Sequence, residues 1–262
     1  MSATVRVLAH GRADGATNMA VDEALLASIR PANEVTIRFY GWLRPTVSLG
    51  YAQPWATGFD RAVGRRYGMH VVRRRTGGRA VLHAAELTYS VTGDSESGPL
   101  TGGIQATYNL IARGFARGFA RLGVEVEVVR NRGRQEREEA GACFAARALN
   151  EIVADSRKLV GSAQRRASGR VLQHGSILLS RPDPVLWRVL GTSGPAAAEA
   201  SVGLNELVGA AAGLRRVQSE LARGLAAEID GTRRVSGLSG AELRLARRLR
   251  YTYLDSAFTH RR

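Results

Sequence analysis

The sequence predicts an α/β domain with a helical C-terminal portion. A chain of 262 residues, 44% of them hydrophobic, is long enough to bury its own core, at roughly 150 residues per domain. Short β-branched or alternating runs recur along it, such as Leu87-Thr88-Tyr89-Ser90-Val91. Between them lie apolar stripes at helical spacing: Ile104, Tyr108, Ile111, Phe115, Phe119 and Leu122, then Val217, Leu221, Leu225 and Ile229. No internal repeat and no composition break divides the chain. One domain over residues 1–262, with its helical portion from about 204, is the expectation.

The elements follow in order. Val5-Arg6-Val7-Leu8 reads as a strand running into a turn at residues 11–15. A helix from Asn18 places Val21, Leu25 and Ile29 on one face, and Pro31 ends it. Residues 35–40 and 46–49 read as strands around a turn at 41–45. Val71-Val72 and residues 87–91 are two more, flanking an Arg/Gly-rich segment. Residues 92–103 form a polar, Gly-rich loop before the long helix, which Gly123 stops. Residues 124–128 alternate as a half-buried strand, and the mixed-charge run 130–139 reads as a solvated loop. Strands resume at 152–154, 159–160 and 176–179. The low-complexity stretch 191–203 reads as a connection. Ser239 and Glu242 fit a capping box that opens the last helix.

Composition excludes several classes. No apolar run approaches the ~18 residues of a membrane span, and the N-terminus lacks a basic-then-apolar signal pattern. A single cysteine excludes an internal disulfide framework and a Cys-pair zinc site. A soluble, cytoplasmic protein is expected. The P-loop, the G-x-S-x-G elbow, H-E-x-x-H and G-x-G-x-x-G between strand and helix are missing, and the five histidines lack metal-ligand spacing. No cofactor or metal is therefore expected.

The charge is less ordinary. Lys+Arg number 38 against 23 Asp+Glu, a net +15 that favours acidic partners. Only one of the 38 is lysine, Lys158. Arginine-favouring codon usage is the plain explanation for arginine in place of lysine, yet one lysine is kept. Lysine supplies a compact ammonium where arginine supplies a bulkier planar fork. The lone lysine and the lone cysteine, Cys143, are the two residues to follow.

Three segments stand out. In Arg73-Arg74-Arg75-Thr76-Gly77-Gly78-Arg79-Ala80-Val81-Leu82-His83, adjacent glycines let a ligand approach the backbone, whose N–H groups can bind an oxyanion or carbonyl. A Gly-Gly hairpin with solvated arginines is the alternative. In Lys158-Leu159-Val160-Gly161-Ser162-Ala163-Gln164, followed by His174-Gly175-Ser176, a strand carrying the lysine enters a small-residue turn. A partly buried ammonium and an exposed edge-strand lysine are both open. Cys143, between Ala142 and Phe144, is either an inert buried residue or a nucleophile whose thiolate needs a nearby positive charge. Lys158 lies fifteen residues on, and that spacing permits the two to meet.

Taken in order, these segments resemble the lipoate-protein ligase A-like family, and within it the cysteine-dependent octanoyltransferases. The likeness runs through residues 18–26, Pro45-Thr46-Val47-Ser48-Leu49-Gly50, the Arg/Gly-rich stretch from Arg73 to Ser90, Ala142-Cys143-Phe144, residues 158–163, 174–179 and 242–253. The resemblance implies a fold like the catalytic domain of biotin and lipoate protein ligases, a central mixed sheet flanked by helices. It implies an acyl-binding tunnel lined by Arg74, Thr76, Gly77, Gly78, Arg79, Ala80 and His83, by Gly161, Ser162 and Ala163, and by His174, Gly175 and Ser176. Cys143 would carry the acyl thioester, while Lys158 would lower the pKa of its thiol and hold the acyl carbonyl. The implied reaction, in lipoate biosynthesis, moves octanoyl from octanoyl-acyl carrier protein to a lysine of a lipoyl-domain protein such as glycine cleavage H protein.

Alternatives within the family are an ATP-dependent lipoate-protein ligase and a lipoyl amidotransferase. Cys143 argues for a transferase, since a ligase needs no thiol there. Arg79 stands where ligases tend to carry a third glycine. A basic nucleic-acid-binding protein is the distant alternative, but the arginines are scattered over segments that also carry acids, and aromatics are sparse. Neither nucleic acid nor membrane is an expected partner.

Overall fold

The computed structural model describes residues 2–28, 31–129, 151–191, 193–209 and 213–261. Its centre is an eight-stranded mixed sheet in the order β11-β1-β2-β6-β10-β9-β8-β7. The strands are β1 (Ala3–Ala13), β2 (Glu34–Trp42), β6 (Glu86–Asp94), β7 (Glu127–Val128), β8 (Ile152–Ala154), β9 (Arg157–Ala167), β10 (Arg170–Leu178) and β11 (Gly231–Val235). β1 pairs in parallel with both β2 and β11; the remaining pairs are antiparallel. A second sheet of three strands, β4-β3-β5, comprises β3 (Thr46–Leu49), β4 (His70–Arg73) and β5 (Val81–His83).

Registers across the large sheet sort its residues by face, because directly opposed residues point the same way. One row runs Phe39–Tyr89–Gly175–Ser162 and a neighbouring one Ile37–Val91–Gln173–Gln164. Phe39, Tyr89, Ile37 and Val91 pack under helix α3 (Ile104–Arg121) and the helix Leu214–Glu228, where Phe115, Phe119, Leu221 and Leu225 are fully buried. These two helices touch through glycine: a Cβ on Gly224 would lie 2.1 Å from the Gly114 carbonyl oxygen. The opposite face carries the rows Arg38–Ser90–His174–Ala163 and Tyr40–Thr88–Ser176–Gly161. Helix α1 (Gly15–Ala27) lies on that side, backed by the helix Gly240–Leu254.

Several boundaries differ from the sequence expectation, each for a local reason. β1 runs on through the expected turn, and α1 starts at Gly15 because Asp14 accepts a hydrogen bond from the Thr17 N–H at 2.8 Å. β2 extends over Gly41 and Trp42 in place of a turn. β9 is continuous, so Gly161, Ser162 and Ala163 form no turn; they are laddered to Ser176, Gly175 and His174. The expected connection at 191–203 includes a helix, Ser193–Glu199. β11, with four of its five residues exposed, joins the sheet within the expected helical portion. Ile29 lies outside the described residues. The Ser239 box forms as expected, with Ser239 N–H donating to Glu242 at 2.6 Å and Glu242 N–H to Ser239 Oγ at 3.2 Å. Among the described residues no helix is long and apolar enough to cross a membrane.

Candidate active site

A cavity of 330 Å³ sits on the polar face of the large sheet, between it and the three-stranded sheet. Of the residues singled out in sequence, Arg74, Gly78, Arg79, Ala80, His83, Lys158, Gly161, Ser162, Ala163, His174, Gly175 and Ser176 line it. Thr76 and Gly77 stand one layer behind, as hydrogen-bond partners of Arg74. Cys143 lies outside the described residues. Apolar wall is supplied by Met19, Trp42, Leu82, Leu159, Trp187 and Leu190; Met19, Leu82 and Leu159 fall within the marked segments, and Trp42, Trp187 and Leu190 outside them.

Lys158 is fixed by its surroundings. Its main chain is held on the far side of β9 by Ala200 and Val202, since Lys158 N–H donates to Ala200 O at 2.7 Å and Val202 N–H to Lys158 O at 3.0 Å. Its side chain lies across Gly161, where a Cβ would come within 2.7 Å of Cε and 3.0 Å of Nζ. That contact, rather than a turn, is what glycine permits at 161. The ammonium donates to Glu151 Oε1, and both side chains border the cavity. Gly175 is needed for a similar reason: a Cβ would strike Gly161 O at 2.4 Å. Ser162 belongs to the core-side row and hydrogen-bonds Tyr89 OH at 2.7 Å. What it presents to the cavity is therefore main chain, not its hydroxyl.

Arg74 is the other organising cation. Its guanidinium is buried, and it donates to the carbonyls of Ser48, Gly77 and Arg79 at 2.6, 2.8 and 2.7 Å. These bonds shape the loop from Thr76 to Arg79. Nη1 and Nε also meet two hydroxyls, Ser48 Oγ and Thr76 Oγ1, both at 3.1 Å. Each hydroxyl is backed by an imidazole and a buried carboxylate. Ser48 Oγ lies 2.7 Å from His83 Nε2, and His83 Nδ1 lies 2.6 Å from Glu86 Oε1. Thr76 Oγ1 lies 2.6 Å from His174 Nε2, and His174 Nδ1 lies 3.3 Å from Asp22 Oδ2. Protons on the two Nδ1 atoms satisfy both chains, each hydroxyl donating to Nε2 while accepting from Arg74. Arg74 is thus linked through two hydroxyl–imidazole chains to Glu86 and Asp22.

The electrostatics follow from burial and partners. Burial pushes Arg74 down to about 10, which leaves it charged near neutrality. Burial lowers His174 as well, against the pull of Asp22. Burial alone would raise Asp22, but Arg38 at 2.7 Å and bonds from His174 and Ser90 hold it at about 2. Burial likewise opposes the ionised Glu86, which His83, Ser176 and Thr88 keep below the ordinary carboxylate range. Trp42 stacks on His83 with centroids 4.1 Å apart and donates its indole N–H to Thr88 Oγ1 at 2.7 Å. Asp22, Ser48 and Glu86 lie in marked segments but were given no role there, and Glu151 lies in none; the fold is what brings them to the site.

Such a site can receive a chain-like apolar group and hold a carbonyl or thiolate near a fixed ammonium. Residues 14–225 match the lipoyl protein ligase A/B catalytic domain. Similar curated proteins include an octanoyltransferase LipM of Kyrpidia tusciae, 38% identical over 99% of both chains. Another, from Moorella thermoacetica, is 45% identical over 71% of this chain and 69% of its own. Among solved structures, the Ta0514 protein of T. acidophilum with bound lipoic acid superposes with a TM-score of 0.82 at 22% identity, covering 99% of this chain and 100% of its own. A lipoate-protein ligase A bound with ATP gives 0.82 and 22%, covering 99% of each. At that identity the structural likeness speaks to the fold.

Proposed function

The chain belongs to the lipoyl protein ligase A/B catalytic domain family, and from that premise we propose that it is an octanoyltransferase of lipoate biosynthesis that works through a thioester on Cys143. The observation that carries this reading is the likeness to octanoyltransferase LipM along nearly the whole chain; Lys158, the only lysine, held over Gly161 beside the cavity, is the cation that serves it. The relatives called octanoyltransferase LipM, one aligned over nearly the whole chain, support the acyl group and the class of reaction. The acceptor is a lysine on a lipoyl domain; the donor is octanoyl-acyl carrier protein.

The steps balance without nucleotide. The Cys143 thiolate adds to the donor's thioester carbonyl, and the carrier thiolate leaves and takes up a proton. One thioester replaces another, so the exchange is nearly even. The acceptor's neutral amine then adds to the enzyme thioester, loses a proton, and expels the Cys143 thiolate as the amide forms. Lys158 stabilises the thiolate and the oxyanion of each tetrahedral intermediate. Arg74 and its two hydroxyl–imidazole chains hold the loop that covers the acyl group. The net charge of +15 steers acidic carrier domains to the site.

Intact mass spectrometry tests the proposal. Incubation with octanoyl-carrier protein and no nucleotide is expected to add one octanoyl group, which hydroxylamine removes, and Cys143→Ala is expected to stay unlabelled. A requirement for ATP with free octanoate or lipoate, together with an active Cys143→Ala, would make the protein a ligase and sink the thioester.

A further inference from the structure

Glu151 borders the cavity, yet the chemistry of Cys143 and Lys158 gives it no part. It stands just before β8, where its carbonyl accepts the Val129 N–H at 3.0 Å, so its backbone is tied into the sheet edge. Its carboxylate is the hydrogen-bond acceptor of the Lys158 ammonium, with 11% of its side chain exposed against 26% for the lysine. Resting on the octanoyl-transfer reading, we infer that Glu151 is a positioning residue for that lysine: its carboxylate fixes the direction in which the ammonium enters the cavity.

The need for such a residue follows from the side chain itself. A lysine head rides on a flexible four-carbon stem that has many rotamers open to it. The contacts with Ala200 and Val202 fix only the main chain of Lys158. Gly161 leaves room beneath Cε and Nζ but supplies no attraction. Glu151 supplies a directed attraction that favours one rotamer among those the space allows. A largely buried ion pair is weak evidence for stability, because desolvation offsets most of the attraction. Its value here is geometric, and a shared ammonium weakens its pull on the thiolate less than a wandering one would.

Glu151→Gln tests this, since it keeps an acceptor oxygen and nearly the same volume while removing the charge. Single-turnover octanoylation from octanoyl-carrier protein is expected to slow about tenfold or more, with half-saturating donor concentration and melting temperature little changed. Iodoacetamide alkylation of Cys143, the only thiol, gives a readout that a structural role would not move. Alkylation is expected to slow by about twofold or more in Glu151→Gln, and to show no further change when Glu151→Gln is added to Lys158→Met. Wild-type acylation by Glu151→Gln, faster alkylation, or an equal effect in the Lys158→Met background would overturn the inference. Should the Gln variant fail to fold, Glu151→Asp, which keeps the charge on a shorter stem, is read in the same two assays against the same outcomes. A wild-type enzyme that takes no octanoyl label defeats the thioester reading; a labelled wild type with an indifferent Glu151→Gln defeats only the role of Glu151.

Discussion

The two faces of the large sheet are built from alternate residues of the same strands, and they obey opposite rules. Towards α3, the residues Ile37, Phe39, Tyr89, Val91, Val160 and Ile177 meet Phe115, Phe119, Leu221 and Leu225 in an apolar core. Towards the cavity, three of the same strands, β2, β6 and β10, present Arg38, Tyr40, Glu86, Thr88, Ser90, His174 and Ser176, most of them buried. Apolar packing is tolerant in direction and strict in volume. A buried polar layer is strict in direction, because each donor needs its acceptor. Stability is therefore concentrated on one face and chemistry on the other.

Substitutions can break that division. On the cavity side, Lys158→Arg keeps the charge but brings a wider planar head to a space bounded by Gly161 and Glu151. Transfer is expected to fall about 10²- to 10³-fold, with melting temperature nearly unchanged; near-wild-type turnover would mean that the lone lysine is a compositional accident. On the core side, Phe115→Ala removes a fully buried ring that meets Tyr89 edge-on at 4.6 Å. It is expected to cost about 3–5 kcal/mol in urea unfolding while kcat at low temperature stays near wild type. A large loss of kcat in the folded protein would show that the faces are not separable.

The smallest effect sharpens the contrast by titration. His10 accepts a hydrogen bond from Arg38 Nε at 2.9 Å, and burial together with that guanidinium lowers its pKa to about 4. A histidine lowered in the folded state contributes stability above its unfolded value of about 6.5, and that contribution is lost as pH falls towards 4. His174 shifts in the same direction. Melting temperature is thus expected to drop between about pH 6.5 and 4, and His10→Asn, which keeps an acceptor for Arg38, should flatten part of the decline. An unchanged slope would show that His10 does not couple to folding.

Much of the architecture was legible because apolar spacing reports a face directly. Ile111, Phe115 and Phe119, and later Val217, Leu221 and Leu225, are all fully buried, as their spacing requires. The cavity face was less legible. Gly161 and Ser162 looked like a turn because small residues favour turns; in the fold the glycine is there to admit Lys158. β11 was invisible because an exposed, arginine-bearing edge strand has no apolar alternation. The motifs brought Arg74, His83, Lys158 and His174 to notice; Glu86 and Glu151 stand close in sequence to the residues they pair with, whereas Asp22 reaches His174 from a distant position. The position of Cys143 relative to Lys158 lies outside the described residues.

The strand registers also determine where this chain can change length. One residue inserted within β10 upstream of His174 would reverse every side chain after it, turning His174 and Ser176 towards α3 and Ile177 towards the cavity. Ladder hydrogen bonds could survive such a slip, but both layers would be lost at once. The turn at Ser168 and Gly169, where both residues have positive φ, and the polar loop after Asp94 carry no such parity. Over evolutionary time, insertions and deletions should accumulate in those loops, while the stretches 86–94, 157–167 and 170–178 keep a fixed count.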